Sequence, residues 1–462
     1  MDCLRCRYEV YGTVSDEIID VMRVLIHGIN YSPELTGIGK YTSEMAEWLA
    51  AQGHEVRVVT APPYYPQWRV AEGYVNGWQK EQRQIPPAPP LEKKGALSGG
   101  RSGFNPTGRD ESRPTENGVT IYRCPVWVPA RPSGLKRLLH LASFALSSFP
   151  VMLYQVFWRP EVILTIEPPL FCAPASWLCA RLSGARSWLH VQDFEVDAAF
   201  GLGILRARWL RNLVGGLEGW LMRRFDKVST ISPNMIRRLL RKGVLPEKTV
   251  LFTNWVDVDA IFPLRGPSAM RQQLGIPVGT VIALYAGNMG EKQGLEVVLD
   301  AAARLSDKEG MQFVLCGDGA ARQRLQQKYA GLANVRWLPL QPVARLNDLL
   351  NLADIHLLPQ RAGAEDLVMP SKLTGMLASG RPVVATANKG TQIAAVLADC
   401  GVAVEPDNAA EFASAILRLA ADAAGRVNMG ELARAYALAH WARESVMSEF
   451  DRQLKGMAGS HT

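Results

Sequence analysis

The stretch "MRVLIHGINYSPELTGIGKYTSEMAEWLAAQGHEVRVVTA", residues 22–61, decides the fold class of this protein. It begins with an apolar strand pattern at 22–29, passes through a glycine-containing loop at 30–39, and continues as an amphipathic helix. A second strand pattern, rich in valine, follows at 55–61. Because a strand, a helix and a strand in succession join parallel strands, the sequence predicts an α/β fold with a parallel sheet.

The same pattern recurs along the chain and divides it into two doubly wound, Rossmann-like domains. The first, 22–235, has four further predicted strands, at 119–124, 161–166, 187–192 and 226–232. The second, 236–462, has three closing helices and six predicted strands, at 280–287, 311–317, 334–340, 354–359, 381–386 and 401–406. Such sheets bind ligands at the carboxyl ends of their strands, so the two domains are expected to face each other across a cleft.

Two segments fall outside this pattern. Residues 1–21 mix charge and polarity without an apolar core, and we expect an N-terminal extension rather than a secretory signal. Residues 82–118 are rich in proline, glycine, serine and charge, which predicts a disordered surface insertion.

Composition narrows the class of protein but not the ligand. The 462 residues are 48% apolar and 21% charged, which is ordinary for two globular domains. The net charge of +7 suits an anionic ligand, a membrane surface or nucleic acid equally. Seven scattered cysteines favour a reduced, cytoplasmic location, and the pair Cys3 and Cys6 lacks the second pair that a zinc site needs.

One stretch is apolar enough to contact or cross a membrane. Residues 138–158 carry no formal charge, while Lys136 and Arg137 precede them and Arg159 follows. A proline at position 150 and several polar residues argue against a span, so the stretch favours a buried helix or one that lies on an anionic membrane surface. We therefore expect peripheral association with the inner face of a membrane.

In the first domain, the loop "PELTGIGKYT" joins the end of a strand to the start of a helix. Gly37 and Gly39 would let the backbone approach an anionic ligand, although a merely permissive turn is the alternative. A dinucleotide-binding fingerprint would need a third glycine where Thr42 stands, and no acid ends the second strand. This argues against a nicotinamide enzyme.

The stretch "LHVQDFEVD" places Asp193 at the carboxyl end of a strand. In a cleft such an acid would orient a hydroxyl group or accept its proton, or it would simply cap the next element. His190, on the same strand, is expected to be packed or hydrogen-bonded rather than catalytic.

The second domain repeats the strand-to-glycine-loop pattern twice. In "YAGNMGEKQGL", three glycines surround Lys292, so that backbone N–H groups and an ammonium group would converge on a phosphate. In "CGDG", Gly317 and Gly319 leave a flat surface on which a nucleobase would lie.

A third stretch, "AEDLVMPSKLTG", combines acids with a cation at a helix start. Glu365 and Asp366 precede a predicted helix whose first turn contains Ser371 and Lys372. The helix start and Lys372 would hold a diphosphate while the two acids accept hydrogen bonds from sugar hydroxyls. This combination predicts a site for a nucleotide-diphospho-sugar, although a solvated lysine and a loop acid are the alternative.

From Met22 to about Arg452, apart from the predicted insertion, the sequence resembles the family 4 glycosyltransferases of the two-domain GT-B architecture. The motifs that carry the resemblance are "YSPELTGIGKYTSEMAEWLAAQGHEVRVVTAPPYYP", "STISPNM", "NWVDVDAIFP", "YAGNMGEKQGLE", "CGDGAARQRL" and "PSKLTGMLASGRPVVAT". The N-terminal motif most resembles the colanic-acid-type exopolysaccharide glycosyltransferases, a branch associated with fucosyl transfer.

Position by position, the resemblance implies roles for the residues named above. Gly37 and Gly39 would line the cleft near the donor phosphates and the acceptor, and Asp193 would sit near the reacting centre. Gly317 and Gly319 would face the base, and Lys372 would lie at the diphosphate.

The sequence departs from the family at two places. Many members have an arginine and a lysine where Asn288 and Gln293 stand here, which leaves Lys292 as a substitute. The family's paired glutamates would fall at Leu367 and Gly375; Glu365 or Asp366 is expected to replace the first, and a glycine cannot replace the second.

The resemblance implies a retaining transfer from a nucleotide-diphospho-sugar, with GDP-fucose the expected donor, to a polyprenyl-diphosphate-linked sugar acceptor. No cofactor, metal ion or nucleic acid is expected to take part. A sugar-nucleotide epimerase of the same fold and a catalytically inactive nucleotide-binding relative remain the alternatives.

Overall fold

The computed structural model describes residues 21–34, 37–85, 118–130, 134–168, 170–194, 208–361 and 369–459, without the side chains of 208–211 and 292. Within these ranges fourteen strands form two sheets. The strands of the first sheet are β1 (Arg23–His27), β2 (Glu55–Thr60), β3 (Gln79–Gln84), β4 (Gly118–Arg123), β5 (Val162–Glu167), β6 (Arg186–Val191), β7 (Lys227–Thr230) and β8 (Thr249–Leu251). Those of the second are β9 (Val281–Ala286), β10 (Met311–Cys316), β11 (Val335–Leu338), β12 (Ile355–Leu358), β13 (Val383–Thr386) and β14 (Gly401–Val404).

Both sheets have the doubly wound order, which confirms the predicted fold class. The first runs β3-β4-β2-β1-β5-β6-β7-β8, and the second runs β11-β10-β9-β12-β13-β14. All neighbouring strands are parallel except β3, which is antiparallel to β4. The central strands are buried along most of their length, as β1 and β5 illustrate, because helices cover both faces of each sheet.

Two strands were not predicted, and each moves a predicted boundary. β3 is polar and exposed along most of its length, and its residues 82–84 lie inside the predicted insertion. Residues 86–117 of that insertion lie outside the described residues. β8 pairs with β7, so the first sheet continues past the predicted domain boundary at residue 235.

Helices connect the strands of each domain. Those between the strands of the first domain are α1 (Ile38–Ala51), α2 (Gly134–Val156), α3 (Ala173–Ser183), α4 (Arg208–Met222) and α5 (Pro233–Arg241). Those of the second are α6 (Ala269–Gln273), α7 (Glu296–Arg304), α8 (Arg322–Lys328), α9 (Leu346–Leu350), α10 (Lys372–Ala378), α11 (Gln392–Val396), α12 (Ala409–Ala421), α13 (Ala423–Trp441) and α14 (Arg443–Ala458). Short 3-10 turns lie at Leu170–Cys172, Pro246–Lys248, Glu291–Gln293 and Val343–Arg345.

The direction of each crossover decides which face of the first sheet a helix covers. The chain moves from β1 to β2 in one direction and from β4 through β5 and β6 to β7 in the other. Because such crossovers are right-handed, α1 lies on one face while α2, α3 and α4 lie on the opposite face.

The last helix, α14, returns to the first domain, although the sequence placed it in the second. Its Phe450 stacks on Phe252, with ring centroids 4.2 Å apart, inside the core that contains β1. Asp451 Oδ1 lies 2.8 Å from His54 Nε2, deep in the same region. The apolar face of α14 is therefore buried by the first sheet, and the helix ties the two domains together.

Candidate functional site

The stretches singled out in the sequence follow strands that are neighbours at the centre of each sheet. The loop with Gly37 follows β1, which pairs with β5, and the loop with Gly287 follows β9, which pairs with β12. These pairs are the points at which the strand order reverses in each sheet. Open α/β sheets bind their ligands at such points, so the fold places the predicted loops at the two expected positions.

The two glycines of the first loop differ in their surroundings. Gly37 has a φ of 63°, and an added Cβ would meet no atom within 4 Å, so the residue faces open space. Gly39 is buried, and its Cβ would lie 2.8 Å from Glu34 Oε2. The absence of a side chain at Gly39 is therefore explained by packing, and its role toward a substrate stays a prediction.

Glu34 is a buried acid of this loop that the sequence analysis missed. Its Oε1 accepts hydrogen bonds from the backbone N–H groups of Tyr64 and Tyr65, each 3.0 Å long, and its Oε2 accepts one of 2.8 Å from Asn30 Nδ2. Burial raises the pKa of Glu34, although these hydrogen bonds oppose the rise. Glu34 thus fixes the loop after β1 to the loop after β2 and orders one wall of the site.

Asp193 lies just beyond the carboxyl end of β6, as predicted, and its Oδ1 is buried. The next residue, Phe194, is fully buried, with the Arg238 guanidinium 5.6 Å and the Lys242 ammonium 5.3 Å from its ring centre. This anchor holds the backbone at Asp193 in place. The alternative role of Asp193, as a cap of the next element, concerns residues 195–207, which lie outside the described residues.

His190 has the packed role that was expected of it. Its Nδ1 lies 2.8 Å from Ser229 Oγ, and its ring lies 4.9 Å from that of Phe252. Burial lowers the pKa of His190 to about 3, so the ring is neutral at physiological pH.

In the second domain the two glycine loops are packed against each other. A Cβ on Gly317 would lie 1.9 Å from the carbonyl oxygen of Gly287, and a Cβ on Gly319 would lie 2.6 Å from Asn288 Oδ1. The backbone N–H of Met289 also donates a 2.7 Å hydrogen bond to the carbonyl of Asp318. The loops after β9 and β10 therefore form one surface that only glycine permits.

The two positions that depart from the family around this surface, and the lysine expected to substitute for them, have different environments. Asn288 is exposed beside Gly319, whereas the carbonyl of Asn288 accepts a hydrogen bond from Tyr285. Lys292 belongs to the 3-10 turn Glu291–Gln293, and its side chain lies outside the described residues. Gln293 Oε1 is buried and has no hydrogen-bond partner among the described residues.

Lys372 opens α10 and folds back over the loop after β9. Its Nζ donates a 2.7 Å hydrogen bond to the Tyr285 hydroxyl and lies 4.4 Å from the centre of that ring. A Cβ on Gly287 would lie 2.5 Å from Lys372 Cε, so this approach also requires glycine. Burial lowers the pKa of Lys372 to about 8, and among the described residues no acidic side chain pairs with it.

The start of α10 also touches the first domain, through a residue that the sequence analysis did not select. The hydroxyl of Tyr41, on α1, lies close to the side chains of Ser371 and Thr374, which oppose the rise that burial causes in its pKa. The helix that follows the first glycine loop thus meets the helix that carries Lys372. Tyr41 had appeared in the sequence only as part of an apolar helix face, and no pattern marked its hydroxyl.

The family's paired-glutamate positions, with the acids expected to replace the first, lie before and within α10. Glu365, Asp366 and Leu367 lie outside the described residues. Gly375, at the second glutamate position of the family, lies inside α10, and a Cβ there would contact Leu350 at 3.3 Å. Within the described ranges, no group of three histidine, cysteine, aspartate or glutamate side chains could hold a metal ion.

Two family models match this chain in succession. Residues 36–255 match the Glycosyl transferase 4-like domain, and residues 280–422 match the Glycosyl transferases group 1 domain. The chain is 41% identical over 445 residues to WcaI of Escherichia coli (strain K12), whose name reads colanic acid biosynthesis glycosyl transferase; the match covers 94% of this chain and 100% of WcaI.

Solved structures show the same fold at low sequence identity. Sucrose-phosphate synthase from Thermosynechococcus elongatus has a TM-score of 0.69 and 17% identity, covering 95% of this chain and 99% of that one. Anabaena HepE in complex with UDP has a TM-score of 0.64 and 15% identity, covering 94% of this chain and 100% of that one. Together with the two family matches and the paired parallel sheets, these likenesses confirm the resemblance seen in the sequence: this chain belongs to the family 4 glycosyltransferases with the GT-B fold and is a glycosyltransferase enzyme.

Proposed function

We propose that this enzyme transfers a sugar from a nucleotide-diphospho-sugar to a lipid-linked oligosaccharide in the biosynthesis of a colanic-acid-like exopolysaccharide. The first domain would bind the acceptor, and the second would bind the donor. The 41% identity with WcaI across nearly the whole chain supports the biosynthetic process.

Lys372 is the observation that carries the donor half of the proposal. A half-buried ammonium group whose described partners are a tyrosine hydroxyl and ring calls for an anion, because its charge is otherwise uncompensated. It packs against Gly287, whose missing side chain makes room for the end of Lys372 beside the loop after β9. A diphosphate is the anion that a nucleotide-sugar donor would bring to this place.

The other predicted residues take complementary roles in this proposal. Ser371 and Lys292 would contact the phosphates, the surface of Gly317 and Gly319 would face the base, and Asn288 would border it. Glu365 and Asp366 would accept hydrogen bonds from hydroxyl groups of the donor sugar.

The proposed reaction retains the anomeric configuration of the donor. The bond between the anomeric carbon and the diphosphate oxygen breaks, and the acceptor oxygen bonds to the same face of that carbon. The acceptor's proton passes to the leaving phosphate, while Asp193 orients the acceptor hydroxyl. Lys372 stabilises the negative charge that develops on the leaving group.

The positive charge at this site comes from the protein itself, so we propose activity without a divalent ion or other cofactor. Full activity after treatment with a chelator is the expected result. Strict dependence on manganese or magnesium would refute this part of the proposal.

We further propose that the protein works at the cytoplasmic face of the inner membrane. A polyprenyl-diphosphate-linked acceptor is confined to a bilayer, so an enzyme that uses it must reach the membrane surface. The apolar helix α2 supports this location.

The decisive experiment is a screen of radiolabelled GDP- and UDP-sugars with a membrane fraction that contains polyprenyl-diphosphate-linked sugars. We expect fucose from GDP-fucose to enter the lipid fraction. Label that remains with the nucleotide in a changed sugar, in reactions with donor alone, would instead identify an epimerase. Nucleotide binding by calorimetry without transfer to any acceptor would identify an inactive relative, which the glycine at position 375 would explain.

A further inference from the structure

The side of α2 that faces away from the sheet is apolar along its whole length. Leu135, Leu139, Leu146 and Phe149 recur on it at helical spacing, and Phe157 continues the row beyond the helix end. Leu146 and Phe157 are 76% and 85% exposed. An apolar outer surface of this length is unusual on a helix of a soluble domain and indicates a further contact.

The two neighbouring helices extend the same surface. Both α3 and α4 lie on the face of the sheet that α2 covers, and Arg224 links them, with Trp177 5.8 Å and Trp220 4.6 Å from its guanidinium carbon. We call the exposed apolar side chains of this region the outer helical face. Its members are Trp78, Leu135, Leu139, Leu146, Phe149, Tyr154, Phe157, Phe171, Leu178, Leu182, Leu213, Leu217 and Trp220.

The exposed charged groups on the described parts of α2 and α3 are cations, while Glu55 and Glu161 are acids near the C-terminal end of α2. Lys136, Arg137, Arg159 and Arg181 are exposed along or beside α2 and α3. Among the described side chains of the three helices the one acid is Glu218, and it is buried. An apolar surface bordered by positive charge complements an anionic phospholipid surface and would repel a positively charged partner.

The inner side of α2 decides how the helix would meet a bilayer. In the described part of the chain α2 is the one helix long and apolar enough to cross a membrane, by length and composition alone. However, Ser148 Oγ lies 3.0 Å from His27 Nε2, and Gln155 Oε1 accepts a 3.0 Å hydrogen bond from Arg57. A span would break these contacts with the sheet, so the helix would lie along the surface instead.

We propose that the outer helical face inserts into the headgroup region of an anionic bilayer and holds the enzyme there as a monotopic protein. The inference deepens the proposed function, on which it rests for the membrane-bound acceptor, by assigning the membrane contact to three helices of the first domain. Apolar burial supplies the adhesion, and the bordering cations select anionic lipid.

The test is co-sedimentation of the full chain with vesicles of phosphatidylcholine alone or mixed with phosphatidylglycerol. The wild type should bind the mixed vesicles and bind pure phosphatidylcholine much more weakly. The triple variant Leu146→Ser, Phe149→Ser, Phe157→Ser should lose binding to the mixed vesicles by about tenfold or more. Since these side chains are exposed, thermal unfolding of the variant should match that of the wild type.

A matched control removes three apolar side chains of similar exposure from the second domain. Val278, Leu340 and Val427 are 100%, 68% and 62% exposed. The triple variant Val278→Ser, Leu340→Ser, Val427→Ser should bind vesicles as the wild type does. Equal losses in both triple variants would show a general effect of surface polarity and would overturn the proposal.

A second variant tests the charge. Changing Lys136, Arg137 and Arg159 to glutamine should weaken binding to the mixed vesicles, by about fivefold for each cation, and remove most of its salt dependence. Unchanged binding would contradict the role of the cations.

Two further outcomes separate the possible explanations. A wild-type dimer that the Leu146, Phe149, Phe157 variant dissociates, without any vesicle binding, would make the surface an interface between copies of this chain and would overturn the proposal. Vesicle binding that follows the pattern above in a protein that transfers no sugar would support the membrane contact while refuting the proposed function.

Discussion

Replacing Lys372 by methionine should make the protein more stable and the donor site weaker. Burial moves the pKa of this lysine from its ordinary value of 10.5 to about 8, which corresponds to about 3 kcal/mol against the charged form. The hydrogen bond to Tyr285 and the contact with its ring return about 1 kcal/mol. Methionine keeps most of the apolar stem, so the variant should gain about 2 kcal/mol in its free energy of unfolding.

The pH dependence of the unfolding free energy tests independently whether Lys372→Met stabilises the protein. Between about pH 8 and pH 10.5 the unfolded chain keeps a proton that the folded lysine has lost, so the stability of the wild type should rise with pH in that window. Below it, the penalty is fully present. The difference in unfolding free energy between Lys372→Met and the wild type should therefore be largest at neutral pH and shrink as the pH rises toward 10.5.

The same change should weaken nucleotide-diphosphate binding by about tenfold to hundredfold, the worth of a hydrogen bond to a charged group. Wild-type affinity should also fall as the pH rises through about 8, because only the charged lysine attracts the phosphates. Denaturation followed by tryptophan fluorescence and calorimetry with GDP and UDP would measure the two effects. Lys308→Met is the control, because Lys308 is half-exposed before β10 and should change neither. A Lys372→Met protein that is less stable than the wild type and binds nucleotide equally well would refute the reasoning.

Four further changes test other parts of the structure. Gly317→Ala should abolish folding or cost several kcal/mol, because its Cβ would lie 1.9 Å from a carbonyl oxygen, whereas Gly331→Ala, with no atom within 4 Å, should stay within about 0.5 kcal/mol in urea denaturation. Asp193→Asn should lower kcat by about a hundredfold or more with nucleotide affinity unchanged, and a loss of only a few fold would contradict its role. Tyr41→Phe should cost about 1 kcal/mol of stability or less, because the Tyr41 hydroxyl lies close to Ser371 and Thr374 across the domains. Burial alone would raise the pKa of Asp451, but hydrogen bonds from its neighbours hold it below the ordinary value of 3.8, so the stability lost in Asp451→Asn should be full at neutral pH and vanish as the acid titrates below that value.

The fold could be predicted from the sequence because its central strands have a clear apolar pattern. β1, β5 and β9 are mostly apolar runs, with glycine loops after β1 and β9 and prolines after β5, and each occurs where the pattern predicted it. β3 escaped prediction because it pairs on one side only and has no apolar face. A strand like this is specified by its neighbour β4 rather than by its own residues, and no local pattern reveals it.

The glycine loops of the second domain were predicted from the needs of a ligand, but packing between the loops also requires these glycines. We predicted Gly317 and Gly319 because a ligand needs a close approach to the backbone. The structure shows that the loop after β9 fills the space that side chains at both positions would occupy, so packing alone requires glycine there. Packing and ligand approach leave the same mark on a sequence, and only the geometry separates them. Gly37 faces open space, but its φ of 63° favours glycine in any case, so both the turn and a ligand explain it.

Lys372 could be selected from the sequence because it violates a local preference, to which the structure adds a second cost. A cation in the first turn of a helix opposes the partial positive charge of the free N–H groups, and burial against Tyr285 adds a cost of desolvation. Among the described residues no acid offsets either cost. Almost any neutral side chain at this position would make the helix more stable. We propose that Lys372 serves a ligand rather than stability, and in this fold the carboxyl ends of β9 and β12 are the place where a diphosphate would bind.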